Sequence, residues 1–425
     1  MLASRNGRLD SLTVRARVVD PGEGLDMPAS VTIEDGIVTA VDAVASAPAG
    51  LVLAPAFVDP HVHLRTPGRE DEETIASGTA AAAAGGYCAI VAMPNTDPVV
   101  DTAPVLRALV EQALEEAVVP TGFTAAISKG QRGEELAELG ELADAGAAGF
   151  TDDGRPVASS GLMRRALQYG AVHGRTLALH CEDPALSRDG HLHEGAVSAE
   201  LGVAGWPSLA ESVMVERDLA LARLEGRPIH LMHLSARESV AALRRARDES
   251  VPATGEVTPH HLVLSDEAVR TLDPNRKMNP PLGGDDDRAA LVEALRDGTL
   301  TCVATDHAPH SREEKDTTFE DAPFGVTGLE TSFAALHTHL VVPGLVPFAT
   351  LLERMSAGPA EAFGLPVPRI AVGERANLVE LDLDAEWTVT EAGFRSRSAN
   401  SWLLGAGLRG VVVRTVADGR EVFAR

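Results

Sequence analysis

The chain has 425 residues, 37 Lys and Arg against 62 Asp and Glu, a formal charge of −25, and 44% hydrophobic residues. The apolar share excludes a disordered chain, and the acidic balance argues against nucleic acid as a partner, because phosphates need a basic face. Three cysteines, Cys88, Cys181 and Cys302, are too few for a disulfide framework and favour a reducing compartment.

The N-terminal MLASRNGRLDS lacks the apolar segment of a signal peptide, so a cytoplasmic location is expected. VRARVVDPG and ASVTIEDGIVTAVD then read as short strands, with Asp35-Gly36 as a hairpin turn. From residue 74 to 96 there is no charged residue, a length that would span a bilayer. Five consecutive alanines followed by Gly85-Gly86 argue instead for a helix and a buried strand, with no membrane contact. Eight short apolar runs occupy the middle of the chain: 51–59, 87–94, 121–128, 146–153, 176–181, 229–234, 253–259 and 301–307. Amphipathic patterns such as APVLRALVEQALEEAV and RESVAALRRARDE separate them. This alternation predicts an α/β fold, a (β/α)8 barrel over residues 55–365, with a doubly wound open sheet as the alternative. Near the end, ANLVELDL, SANSWLLG and GVVVRTVADGREVF return to strand patterns, with Asp418-Gly419 as a second hairpin turn. Strands from residues 1–54 and 366–425 are expected to pair into one small composite β-sandwich.

Metal-binding residue types sit where several runs end. His61 and His63 follow the first run, Asp152 and Asp153 end the fourth, His180 the fifth, His233 the sixth and Asp306 the eighth. In a barrel these strand ends converge on one mouth, and nitrogen and carboxylate donors of this mix suit zinc or a similar divalent ion. A single His-x-His means little, but five strand ends carrying such residues are implausible as independent accidents.

FVDPHVHLR at 57–65 resembles the first-strand signature of the amidohydrolase superfamily, and ATDHAPH at 304–310 its eighth-strand signature. MPNTDPVVD, GFTDDG, HCED, HEGAVSAELGVAGWP, EVTPHHL, KMNPPL and APFGVTGLET are similar to segments of class I, bacterial-type dihydroorotases. That resemblance implies reversible cyclisation of N-carbamoyl-L-aspartate to L-dihydroorotate and water, in pyrimidine biosynthesis. It implies a metal set of His61, His63, Asp153, His180, His233 and Asp306, holding one or two zinc ions, with two expected. Asp306 would also move the catalytic proton. His63, Arg65, Asn95, Asn279, His310 and the backbone at Phe324 and Gly325 would contact the substrate, Arg65 by gripping its carboxylate.

Hydantoinases, allantoinases and the other dihydroorotase type place a carbamylated lysine on the fourth strand. Here GAAGFTDDG has none, and the class I resemblance implies that Asp153 is the metal-binding aspartate, with Asp152 expected to face the other way or cap the following turn. The family's glutamate is replaced by Thr66. Two rival readings follow from the resemblance: another cyclic-amide hydrolase, or a scaffold for aspartate carbamoyltransferase, which is also the partner a homo-oligomeric enzyme of this kind would take. Loop or surface roles are expected for His191 and His193, and support of the mouth for His260-His261. Cys181 reads as a buried filler, and Asp285-Asp286-Asp287 as the cap of a helix. The loop SREEKDTTFEDAPFG, 311–325, reads either as a lid that orders over substrate or as an ordinary exposed loop.

Overall fold

The structure, a computed structural model, describes residues 1–5, 7–170 and 174–425. Four strands open the fold: β1 (Ser11–Asp20), β2 (Leu25–Glu34), β3 (Ile37–Ala43) and β4 (Leu51–Pro55). The apolar run 51–59 does not form one strand. It breaks at Ala56, and its second half becomes β5 (Phe57–Val62), the first strand of the barrel.

The barrel continues with β6 (Tyr87–Ala92), β7 (Thr121–Phe123), β8 (Gly149–Phe150) and β9 (Thr176–Leu179). A two-strand insertion follows, β10 (Leu192–His193) beside β11 (Gly205–Trp206). The barrel is then completed by β12 (Ile229–Leu231), β13 (Ala253–Val257) and β14 (Cys302–Val303). Neighbouring barrel strands pair in parallel. Two single bridges close the circle: Ala125 with Phe150 joins β7 to β8, and Val62 with His307 joins β14 back to β5. The closed parallel ring rules out the open-sheet alternative. Strands β5 and β6 are buried at every residue, as expected where helices cover the outside and side chains fill the inside.

The uncharged stretch 74–96 is a helix, Ile75–Ala84, capped by Thr74, followed by β6. Among the described residues, no helix is long and apolar enough to cross a membrane. The patterns at 103–118 and 237–249 form the helices Ala103–Glu116 and Arg237–Asp248.

The C-terminal strands β15 (Leu378–Thr388), β16 (Gly407–Ala417) and β17 (Arg420–Ala424) join the first four in one seven-stranded sheet. Its order is β17-β16-β15-β4-β1-β2-β3, parallel only at β1–β4 and antiparallel elsewhere. Val31 and Ile33 of β2 share an apolar cluster with Leu378 of β15 and Val416 of β16, so the sheet folds over on itself around a core of its own. Its other face joins the barrel core: Val52, Val379, Leu381 and Val412 pack in one cluster with Phe57 and Ile90.

The two hairpin turns meet. Asp35 and Gly36 have φ of 51° and 75°, and Asp418 and Gly419 have φ of 48° and 70°, the left-handed pair that a tight hairpin requires. A Cβ on Gly36 would lie 2.8 Å from the Gly419 carbonyl oxygen, and one on Gly419 2.7 Å from that of Gly36. Gly36→Ala is therefore expected to cost about 2 kcal/mol or more, through strain and the close backbone approach. An unchanged midpoint in chemical denaturation would remove this contact from the fold's stability.

SANSWLLG, expected as a strand, is irregular backbone at the barrel mouth. Asn400 accepts from the His310 backbone N–H (3.1 Å) and donates to the carbonyls of Ala308 (3.1 Å) and Gly325 (3.3 Å). Its alternating apolar residues mimic a strand, but no neighbouring edge pairs with it among the described residues. At the other end of the chain, Ala3 pairs with Thr121 at the start of β7.

Candidate active site and metal centre

The barrel topology brings the strand-end residues to one point. His61 lies on β5 and is fully buried, and its Nε2 lies 3.4 Å from Asp153 Oδ1 and 3.4 Å from Asp306 Oδ1. His63 Nε2 lies 3.0 Å from Asp306 Oδ1 and 3.5 Å from Asp153 Oδ2. On the opposite side, His180 Nδ1 and His233 Nε2 are 2.9 Å apart and lie 3.9 and 3.7 Å from Asp153 Oδ1. Asp153 thus stands between two groups of imidazoles. Arg65, His233 and Asp306 hold φ of 56°, 32° and 47°, left-handed backbone that only a well-determined surrounding maintains in non-glycine residues.

The donor set fits a divalent cation. His61 Nε2 is buried and has no hydrogen-bond partner among the described residues, yet it points at two carboxylates. Nitrogen and oxygen atoms of His61, His63 and Asp306, and of His61, Asp153 and His233, lie within 4.8 Å of one another in each group. Burial opposes charge on His61, yet Asp153, Asp306 and Glu256 together raise its pKa well above the ordinary value. Burial likewise pushes the Asp153 and Asp306 carboxyls up, and the surrounding imidazoles, His61 first, more than reverse this, so both are held ionised. A divalent cation would balance such a site, and N and O donors of this mix suit zinc or a similar ion.

Three of the four histidines, His61, His63 and His180, are oriented by a partner at the other nitrogen, the arrangement that fixes tautomer and aim in metal sites. His61 Nδ1 meets Glu256 Oε1 at 2.7 Å, His180 Nε2 meets Glu182 Oε2 at 2.9 Å, and His63 Nδ1 meets Asn95 Oδ1 at 2.9 Å. Glu256 also accepts from the backbone of His233 (3.2 Å) and contacts His230 Nε2 (2.9 Å). Burial would raise its pKa, but His61 and His230 lower it to about 2. Asp59 accepts from the backbone N–H groups of His61 (3.1 Å) and Thr305 (3.2 Å) and from the Thr305 hydroxyl (2.5 Å), tying β5 to the Asp306 loop. Burial raises this carboxyl to about 7 against those bonds.

The mouth holds a cavity of about 160 Å³ above the cluster, walled by Arg65, Asn95, Asn279, His310, Phe324 and Gly325 together with His63, His180, His233, Asp153 and Asp306. Every substrate-contact residue expected from the sequence lies in that wall. Arg65 Nε donates to Pro309 O at 3.0 Å, and His310 Nε2 to Phe324 O at 2.8 Å. Burial and the Arg65 charge depress His310 to about 3, so it is neutral.

Residues 50–239 match the family described as dihydro-orotase-like. The chain is 46% identical over 416 residues to the dihydroorotase of Anaeromyxobacter sp. (strain K), covering 96% of each. It is 41% identical to that of Trichlorobacter lovleyi, over 96% of this chain and 98% of the relative. The chain belongs to the dihydroorotase family. Its fold is also similar to an L-hydantoinase (dihydropyrimidinase) from Arthrobacter aurescens, with a TM-score of 0.85, 25% identity, and 97% and 96% of the two chains covered.

Within this dihydroorotase-family site the two aspartates separate. Asp153 enters the cluster, whereas Asp152 turns back to accept from the backbone N–H (3.0 Å) and the hydroxyl of Ser128. Asp152→Ala is expected to keep the metal and lose about 1–3 kcal/mol of stability, because the Ser128 donors would be buried unpaired. Metal analysis beside thermal unfolding checks this, and loss of metal from that variant would mean the wrong carboxylate has been assigned.

His191 and His193 lie at the β10 insertion and do not wall the cavity. His261 contacts Thr258 Oγ1 (2.7 Å) and donates to Pro280 O (3.0 Å), bracing the Asn279 segment, and burial lowers it to about 4. Cys181 is buried and free, and Asp285–Asp287 begin the helix Asp285–Asp297. The 311–325 loop is anchored by two lysines. Lys277 donates to Glu320 O (2.8 Å) and Ala322 O (2.7 Å), and Lys315 to Pro274 O (3.1 Å) and Pro323 O (2.7 Å).

Sequence reading missed Glu256, Glu182, Asp59 and Asn400. A signal existed for the first: a charged residue inside an apolar barrel strand, ATGEV, needs a buried partner. None existed for Asn400, whose partners are backbone groups 75 to 92 residues away in sequence.

Proposed function

We propose that this chain is a cytoplasmic, zinc-dependent dihydroorotase that interconverts L-dihydroorotate plus water and N-carbamoyl-L-aspartate in pyrimidine biosynthesis. Asp153 carries the reading: it stands between the two imidazole groups, where related cyclic-amide hydrolases use a carbamylated lysine, and the fourth strand has no lysine. His61, His63, Asp153, His180, His233 and Asp306 would hold one or two zinc ions, and two groups of donors favour two. Bound zinc supplies polarisation of the amide oxygen and acidification of water.

The protein's own groups do the rest. Asp306, ionised and facing the cavity, accepts a proton from the attacking water and returns it to the ring nitrogen as the C–N bond breaks. Cyclisation reverses both transfers. Arg65 presents its guanidinium to the substrate carboxylate, and Asn95, Asn279, His310 and the Phe324–Gly325 backbone complete the wall.

The test is an assay of dihydroorotate, hydantoin and allantoin with one preparation, and of carbamoyl aspartate in the reverse direction. Turnover of dihydroorotate and carbamoyl aspartate is expected. Hydrolysis of hydantoin or allantoin instead, or no turnover by the metal-loaded chain, overturns the assignment.

A further inference from the structure

Glu72 lies in the turn that follows β5, and its side chain is only 2% exposed. One oxygen, Oε2, is 3.1 Å from Arg65 Nε. The other, Oε1, is 3.2 Å from His310 Nδ1 and 2.9 Å from an Arg69 nitrogen. A single buried carboxyl therefore touches two polar side chains of the cavity wall. Arg65 and His310 themselves approach to 3.3 Å, so their relative placement depends on what holds their far sides.

Nothing in the catalytic chemistry uses Glu72, and it is absent from the cavity wall. Its backbone carbonyl accepts from Ser398 Oγ at 2.7 Å, which fixes this turn to the C-terminal segment. Arg69 in turn reaches Glu314 at 2.7 Å, in the 311–325 loop. Arg65 holds a left-handed φ of 56°, and such a conformation persists only where the surroundings over-determine it.

We infer that Glu72 is a positioning residue for substrate binding, which clamps Arg65 and His310 in one arrangement at the cavity wall. The inference rests on the assignment of those two residues to the substrate. His310 gives its Nε2 proton to the Phe324 carbonyl, so its Nδ1 accepts, and the group facing it must donate. A neutral carboxyl meets that demand: Oε1–H donates to His310, while Oε2 lies against the Arg65 guanidinium, whose Nε proton goes to Pro309 O. Burial and the adjacent Glu314 carboxyl raise the Glu72 pKa, against the opposing charges of Arg65 and Arg69, in keeping with that state.

The experiment compares Glu72→Ala and Glu72→Gln in the zinc-loaded full chain, with steady-state kinetics on dihydroorotate and metal analysis. Glu72→Ala should raise KM about tenfold, with kcat within about threefold and zinc content unchanged, the signature of lost uniform binding. Glu72→Gln, whose amide can donate to His310 and set its oxygen against the Arg65 guanidinium, should stay within about threefold of the parent in KM. Unchanged KM in Glu72→Ala, an equal rise in both variants, or a loss that follows zinc content overturns the inference. If Glu72→Ala does not fold, Glu72→Asp replaces it: the shortened arm should raise KM, and parental KM overturns the proposal. A crystal structure of the same variant separates this inference from the assigned reaction. Arg65 or His310 should leave its present place whatever the substrate, and both residues unmoved would count against the clamp.

Discussion

Asp306→Asn is expected to lose at least about 1,000-fold in kcat while it still binds dihydroorotate, because general acid–base transfer contributes about 10²–10⁴-fold and the amide cannot accept the proton. The carboxylate is already in the proton-accepting state, since the imidazoles of His61 and His63 outweigh its burial and hold it ionised. Its Oδ1 is 3.0 Å from His63 and 3.4 Å from His61, while the residue still reaches the cavity. An asparagine keeps the shape and one oxygen, so metal and substrate should remain and a stable complex should accumulate. Arg65→Met provides the contrast. In the proposed reaction Arg65 would grip a group that does not change, so its loss should chiefly raise KM, with a smaller fall in kcat from poorer orientation. Steady-state profiles of both variants, with calorimetric binding of dihydroorotate to Asp306→Asn, make the comparison. Substantial turnover by Asp306→Asn would remove it from proton transfer and leave His310 as the next candidate.

His61→Ala and His63→Ala should each strip most of the zinc and lower activity by at least about 100-fold, since even partners that merely orient a ligand are worth about 10–100-fold. His61 has no freedom to be replaced by a neighbour: Glu256 locks its Nδ1 and its Nε2 faces both aspartates from a fully buried position. His191→Ala and His193→Ala should leave zinc and activity close to the parent, because neither side chain belongs to the cavity wall. Metal analysis of the four purified variants decides. Zinc retained in both members of the first pair would place the metal elsewhere.

Helix and strand identity was readable where the pattern was local. The alanine run followed by Gly85-Gly86 could only be a short helix and a turn, and the left-handed demand of Asp-Gly pairs marked both hairpins. Two patterns misled. The 51–59 run joined two strands because both are buried and apolar, and burial alone does not mark the change of direction at Ala56. SANSWLLG alternates like a strand but spends its polar groups on the mouth.

The amino-acid sequence by itself determined the chemistry available to this protein: which strand ends carry imidazole and carboxylate, that the fourth strand has no lysine, and that Arg65 and His310 flank the metal motifs. Those are properties of residue type and spacing, and they survive any detail of packing. The resemblance named Asp153, but only the tertiary structure gave the physical separation of Asp152 from Asp153, because adjacent residues at a strand end differ by direction alone, and Ser128 claims the first. Only it placed Glu256 behind His61, Asn400 beneath His310 and Glu72 against Arg65, since each contact joins segments remote in sequence or separated by a turn. Barrel closure is the physical reason. It converts eight unrelated strand ends into one rim, and neither composition nor periodicity records which side chains become neighbours across that rim.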